Sequence, residues 1–445
     1  MTLAISKEEF NLIFDKQLEE NKEIAAKQWL KEVNMLGQVQ NSASYTQLKR
    51  LVDIIAVVVL RLLKSWNDES GAGQPLAAVC MPASIERVAA ILALWKLGVA
   101  FVPLDPKLPP ERAVRMVQVS LPIFVFALGA GDMLQAELLN GMNELLDEHP
   151  LRVLKLNEIL NEYGISSKKN GRLNMESLPK LQFNDCAIWN SSDTDSLATV
   201  MFTSGSTGVP KGVKLTHRNL LARLEWQWDS SSPLTFQPDD VAMLKTNILF
   251  IDSLTECFGA VGRLVNAIIA PPQLLADPQG FIAVTAQHKV TRLVAVPSPW
   301  HSIVQYAIDH NGSLASLRTL VLSGEQLKWP LVRLTCRVCN GLQRFVNLYG
   351  STETTGDVLY EVLDLTAADK NIEENVPVGK PLSNSRVYIL DAQREPVPEG
   401  TEGDLYVSGA LIAKGYLENT SSTATSQDEP AFTPNSFSNY VDKAM

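Results

Sequence analysis

Cysteine is scarce in this sequence, with five residues in 445, an odd number spread along a large chain. That excludes a disulfide framework. The lone C-x-x-C, Cys336 to Cys339, has no second pair, and its nearest histidine in sequence is His310. It reads as one face of a helix rather than a metal or redox centre. Long apolar runs are missing as well. The longest, residues 54–60, is followed by Arg61 and Lys64 and is too short to span a bilayer. Lys7, Glu8 and Glu9 stand where a signal peptide would be apolar, so a cytoplasmic location is expected. No basic cluster offsets the net charge of −10, which argues against nucleic acid as a partner. The nucleotide string G-x-x-x-x-G-K-[ST] is absent too.

What is present is a different phosphate loop. Thr203-Ser-Gly-Ser-Thr-Gly-Val-Pro-Lys-Gly212 packs four hydroxyls, three glycines and one lysine into ten residues. Glycines let the backbone approach a ligand closely, and N–H groups with hydroxyls bind phosphate oxygens. Lys211 adds the positive charge. The loop follows an apolar run, residues 197–202, that reads as a buried strand, and precedes a helical pattern from Asn219 onward.

At 46% hydrophobic and 20% charged residues, the chain has the composition of a globular protein with at least two domains or subdomains. Residues 6–33 read as a helix opened by the capping box Ser6 to Glu9. This belongs to an N-terminal helical leader, 1–43. The span 44–195 reads as a first α/β subdomain. It holds a helix over 44–64, strands at 76–81, 100–103 and 123–126, and a peripheral insertion from about 128 to 195. The span 196–375 reads as a second α/β subdomain with strands near 241–245, 266–270, 291–296 and 318–322. From 376 the pattern turns to short strands.

Five further segments, with the loop, resemble the adenylation domains of nonribosomal peptide synthetases, within the adenylate-forming (AMP-binding) superfamily. These are Leu94 to Pro106 (LWKLGVAFVPLDP), Phe250-Ile-Asp-Ser253, Leu322-Ser-Gly-Glu-Gln-Leu327, Asn347-Leu-Tyr-Gly-Ser-Thr-Glu353, and Gly403 to Gly409 with Ala413-Lys-Gly-Tyr416. The resemblance covers about residue 44 to the end. Two segments, residues 223–228 and 350–358, look like those of the insect β-alanyl-amine synthases. The implied fold is α/β: the large N-terminal part of the adenylate-forming enzyme fold, two helix-covered mainly parallel sheets plus a small distorted β-barrel portion.

The implied reaction joins a carboxylate to ATP, giving acyl-AMP and pyrophosphate. An ionised carboxylate is already a nucleophile, so such a site needs positioning and charge neutralisation rather than a general base. The resemblance implies that Thr203, Ser204, Gly205, Ser206, Thr207, Gly208 and Lys211 hold the β- and γ-phosphates. Thr352 contacts the α-phosphate, and Glu353 binds Mg²⁺. Tyr349 stacks on adenine beside Gly350, Asn347 meets its edge, and Gly324 and Glu325 line its slot. His217 has a structural role beside the loop. Family members acting on α-amino acids have Asp directly after the Phe250 position; here Ile251 stands there and Asp252 follows. A β-amino acid carries its ammonium roughly 1–1.5 Å further from the carboxylate. The displaced acid therefore suits β-alanine, and resembles family members that activate it. Asp252 is expected as the ammonium ligand, with helix capping left to Ser253 and Glu256. Asp357 faces the same pocket, and Phe250, Thr255, Ala295, Val321, Ser323, Leu348 and Gly356 form its wall.

The sequence stops at Met445, before the family's Y-R-T-G-D segment, its lysine-bearing C-terminal subdomain and its carrier domain with phosphopantetheine. The span 376–445 therefore reads as a truncated β-rich portion, with adenylation slow or absent and a carrier domain expected in a longer parent. Two other readings stand beside an amino-acid adenylating enzyme. They are an acyl- or aryl-CoA ligase of the same superfamily, which the acids Asp252 and Asp357 disfavour, and a non-catalytic nucleotide-binding fragment.

Overall fold

The computed structural model describes residues 10–66, 74–129, 133–146, 152–162, 164–165, 173–179, 194–203, 210–366 and 375–417. Two sheets dominate. The first has six strands in the order Val153–Lys155, Phe124–Ala127, Leu76–Cys80, Ala100–Leu104, Leu197–Thr203 and Lys211–Thr216, all parallel except the last. The second has nine. Its parallel centre runs from Arg344–Tyr349 through Thr319–Leu322, Arg292–Ala295, Val241–Leu244 and Asn266–Ile269 to Trp29–Val33. Antiparallel strands close both of its edges.

Period-two alternation sorts the strand residues into layers. In the first sheet Ala77, Val79, Phe101, Phe124 and Phe126 join one apolar core, and Ala78, Cys80, Val102, Val125 and Ala127 join another. In the second sheet Leu244, Ala267 and Ile269 share the first of these cores, while Met243, Ile268 and Leu293 face a third. The shared core is the layer between the sheets. Its helices include Tyr45–Trp66, Ile85–Lys96 and Asp252–Gly262. Tyr45–Trp66 carries the apolar spacing that the sequence shows over 44–64. Helices Pro278–Gln287, Pro297–Asp309 and Trp329–Val338 cover the far face of the second sheet.

The N-terminal segment departs from the expected continuous helix over 6–33. It is helical over Phe10–Glu20 and Lys22–Lys27, and then Trp29–Val33 becomes a strand. Leu30 pairs with Ala267 in parallel, and the Glu32 carboxylate accepts the Ile85 backbone N–H at 2.7 Å. Tertiary pairing of an otherwise unpaired sheet edge outweighs local helix propensity. Phe10 anchors the leading helix, with ring centroids 5.9 Å from Trp95 and 5.2 Å from Phe258. Beyond residue 375 the described part includes Lys380–Pro381 at the edge of the second sheet and the antiparallel pair Ser385–Leu390 and Asp404–Gly409. Among the described residues no helix is long and apolar enough to cross a membrane.

Candidate active site

Two antiparallel strands flank the phosphate loop. Leu197–Thr203 is buried along its length, and Thr203 pairs with Lys211 as the chain returns in Lys211–Thr216. A second strand thus intervenes before the expected helix, which begins at His217 with a reciprocal cap between Thr216 and Asn219. The positions between, Ser204, Gly205, Ser206, Thr207 and Gly208, lie outside the described residues. Beside Lys211–Thr216 runs the segment 414–417: Lys214 donates to the Gly415 carbonyl at 2.8 Å and Leu417 to the Gly212 carbonyl at 2.7 Å. This brings Tyr416 beside Lys211. The Lys211 ammonium lies 5.2 Å from its ring centroid, and its hydroxyl donates to Glu353 Oε1 at 2.8 Å. Tyr416 therefore links the loop lysine to the glutamate expected to hold Mg²⁺. The other Glu353 oxygen suits that ion, since Mg²⁺ takes one or two carboxylates together with substrate phosphates. His217 is buried edge-on to Trp95 at 5.5 Å, and burial lowers its pKa to about 4, so it stays neutral.

Glu353 sits in a tight loop after the strand Arg344–Tyr349. Ser351 and Thr354 cap the short helix Thr352–Thr354 reciprocally. The loop then doubles back through Thr355 at φ 56° and Gly356 at φ 93°. Gly350 has no room for a side chain: a Cβ would press on the Gly356 carbonyl and sit 2.6 Å from Asp357 Cα. Tyr349 is 46% exposed, so it is available for stacking rather than spent on the core. Asn347 is buried and donates to the Pro377 carbonyl at 2.9 Å. Gly324 is exposed at φ 87°, and Glu325 accepts the Ser298 N–H at 2.9 Å, capping the helix Pro297–Asp309.

The amine end of the expected pocket is built around Asp252, first residue of the helix Asp252–Gly262. The capping box expected at Ser253 and Glu256 does not form. Glu256 accepts the backbone N–H groups of Lys245 at 2.8 Å and Thr246 at 3.2 Å, and Ser253 Oγ is buried without a partner. The helix has no side-chain cap at its start, and among the described residues the Asp252 carboxylate has no hydrogen-bond partner. It faces Gly356, where an added Cβ would lie 3.3 Å from Asp252 Oδ1. Burial first, then the charge of Asp357, raise the Asp252 pKa from 3.8 to about 7, against the opposing pull of Arg223 and Lys245.

Asp357 is brought to the same place but is already engaged. Arg223 Nη2 donates to its Oδ2 at 2.8 Å, and Ser323 Oγ donates to its Oδ1 at 2.8 Å. Both members of the ion pair are at most 2% exposed. Arg223 also donates to Gln227 Oε1 at 3.2 Å, one helical turn on. Thr255 is buried and donates to the Asp252 carbonyl at 3.1 Å. Val321 and Leu348 pack with Trp226 and Leu234 in a small apolar core, and Ala295 is buried nearby in sheet order. Phe250 is 64% exposed and stands apart from this cluster.

Two residues of this arrangement escape the sequence reading, Arg223 and Tyr416. Arg223 left one signal. It lies in a helical run between Leu220, Leu221 and Leu224, on the side that becomes buried, where an arginine requires a partner. Tyr416 belongs to a motif quoted only for its likeness.

With this geometry in hand, comparison with known proteins is informative. The family described as "AMP-binding enzyme" matches residues 16–417. The beta-alanyl-bioamine nonribosomal peptide synthetase ebony of Drosophila melanogaster is 32% identical over 392 residues, covering 86% of this chain and 41% of its own length. Syringomycin synthase SyrB1 of Pseudomonas syringae pv. syringae is 30% identical over 390 residues, 87% of this chain and 56% of its own length. The chain thus spans about half or less of these relatives. Among solved structures, the N-terminal subdomain of Klebsiella oxytoca NpsA, in complex with 3-hydroxybenzoyl-AMSN, superposes with a TM-score of 0.70 at 20% identity, over 92% of this chain and 90% of that one.

Proposed function

Because the chain belongs to the family of AMP-binding enzymes, we propose that it adenylates an amino acid, β-alanine, as the first step of β-alanyl conjugation to an amine. A carboxylate oxygen attacks the α-phosphorus of ATP, and the bond to the bridging oxygen breaks. Pyrophosphate leaves with the electron pair, and no proton moves. Lys211 and the loop hydroxyls would bind the β- and γ-phosphates, Thr352 the α-phosphate, and Tyr349 and Asn347 the adenine. Mg²⁺ held by Glu353 would neutralise phosphate charge. The aminoacyl group would pass to the phosphopantetheine of a carrier domain in a longer parent protein.

The observation that carries the substrate assignment is the partly open Asp252 carboxylate, free of hydrogen bonds and facing Gly356. A buried ammonium needs a paired carboxylate. One step along a helix moves a side chain by about 1.5 Å along the axis, comparable with the extra methylene of a β-amino acid. The similarity to a synthetase named for β-alanyl transfer supports the same reading. Isothermal titration of this chain with non-hydrolysable β-alanyl- and α-alanyl-adenylate analogues tests it. Tighter binding of the β-alanyl form is expected; equal or tighter binding of the α-alanyl form rejects β-alanine as the substrate.

A further inference from the structure

We propose that Arg223, which lies outside the expected pocket wall, sets the charge that the amine end presents. By pairing with Asp357 it leaves Asp252 as the single carboxylate free to bind an ammonium. This rests on the assignment of Asp252 made above.

Charge pairing is the first argument. Asp252 feels the charges of Asp357 from the loop after Arg344–Tyr349, of Arg223 from His217–Trp228, of Lys245 from the end of Val241–Leu244, and of Glu256 from its own helix, whose carboxylate turns to the backbone at Lys245 and Thr246 and interacts with Arg87. Arg223 offsets Asp357 directly as an ion pair, and among the described residues the Asp252 carboxylate is left with no hydrogen-bonded counter-ion. A substrate with one ammonium neutralises it. Without Arg223 the Asp357 carboxylate would lose its counter-ion, and two neighbouring carboxylates would compete for a proton.

Geometry is the second. Asp357 is closed on both oxygens, by Arg223 Nη2 at 2.8 Å and by Ser323 Oγ at 2.8 Å. Its ion pair is at most 2% exposed, whereas Asp252 keeps part of its surface open. Of the two acids, Asp252 is the one whose carboxylate accepts no hydrogen bond among the described residues. Gln227, accepting from Arg223 Nη1, fixes the guanidinium from the same helix. Arg223 is thus a positioning residue, acting on the ligand through Asp357 and Asp252.

The test measures the pH dependence of analogue binding to the whole chain, using whichever aminoacyl-adenylate analogue binds the wild type more tightly. The substrate question is read from the β-alanyl to α-alanyl ratio, the Arg223 question from pH alone. In Arg223→Met, Asp252 loses an opposing cation while Asp357 remains. The acidic limb of the binding curve should move up by about one pH unit or more, so that binding at pH 7 weakens about tenfold and recovers by pH 9. In Asp357→Asn the freed guanidinium competes for Asp252. Binding should weaken at every pH while the limb moves down. The double variant should restore affinity at pH 7 toward wild type, because neither uncompensated charge remains. Opposite displacements with rescue support the proposal. Limbs in register with the wild type, in either single variant, overturn it, because a purely structural pair changes stability without moving the titration. Should Arg223→Met fail to fold, Asp357→Asn and the double variant decide.

Discussion

Asp252 should be a residue that the empty protein would be more stable without. Its carboxyl is held at about 7, against 3.8 in an ordinary aspartate, first by burial and then by Asp357. The folded state therefore binds this proton more tightly than the unfolded chain does. Below pH 3.8 both states are protonated and the effect vanishes; stability is lost as pH climbs from 3.8 to 7, and the loss is constant above that. A shift of about three units corresponds to roughly 4 kcal/mol as an upper bound. Because the side chain keeps some solvent contact, screening brings the expected effect to about 2 kcal/mol. Asp252→Asn preserves the shape and removes the titration. Thermal melts should show the variant about 2 °C more stable at pH 8, with most of that gain gone at pH 4.5. The same variant should lose the preference for aminoacyl over amine-free adenylate analogues. A stability difference that is the same at both pH values, or a variant less stable at pH 8, would refute the account of Asp252 as a desolvated, unsatisfied acid.

Three other outcomes follow from the same site. His217, lowered to about 4 by burial and with a buried, unpaired Nδ1, takes up a proton on unfolding below pH 6.5. His217→Phe should therefore reduce the stability lost between pH 7 and pH 5 by about 2 kcal/mol, measured by urea denaturation. Glu353→Gln should leave binding of a metal-free adenylate analogue to this chain within about twofold while weakening its Mg²⁺-dependent binding of ATP by about tenfold or more; equal losses in both would remove Glu353 from metal binding. Gly350→Ala should cost about 2 kcal/mol or more, since the new methyl meets the Gly356 backbone rather than a flexible side chain. A melt unchanged from wild type would show that the loop can open there.

The parts of the fold legible in the sequence are those specified by neighbours along the chain. Residues 44–64 announce a helix by apolar spacing, and Tyr45–Trp66 is one. The apolar runs near 291–296 and 318–322 become Arg292–Ala295 and Thr319–Leu322, buried almost throughout. What stayed hidden depends on distant partners. Trp29–Val33 is a strand because Asn266–Ile269 offers an edge, and Trp29 N–H donates to Asn266 Oδ1 across 237 positions. Glu256 looks like the far half of a capping box with Ser253, yet its carboxylate turns away to the backbone at Lys245 and Thr246. Asp357 is expected as a pocket acid from its motif, but its pairing with Arg223, 134 residues earlier, is not written locally. Sequence periodicity reports which face is buried; it does not report which charge will be waiting there.

The parallel pairing of Trp29–Val33 with Asn266–Ile269 has a bearing on synthesis. Emerging early from the ribosome, Trp29–Val33 has only the adjacent Val39–Ser44 to pair with until the chain has grown beyond residue 269. At ordinary elongation rates that interval is roughly 10–50 s. Throughout it, Leu30 and Val33, both buried in the finished sheet, have only Val39–Ser44 beside them. A message whose translation began downstream of Ser44 would lack Trp29–Val33 and Val39–Ser44 and would leave Asn266–Ile269 as a bare, apolar rim. Chain start, rather than active-site chemistry, thus governs whether the second sheet is finished or left open to pairing between molecules.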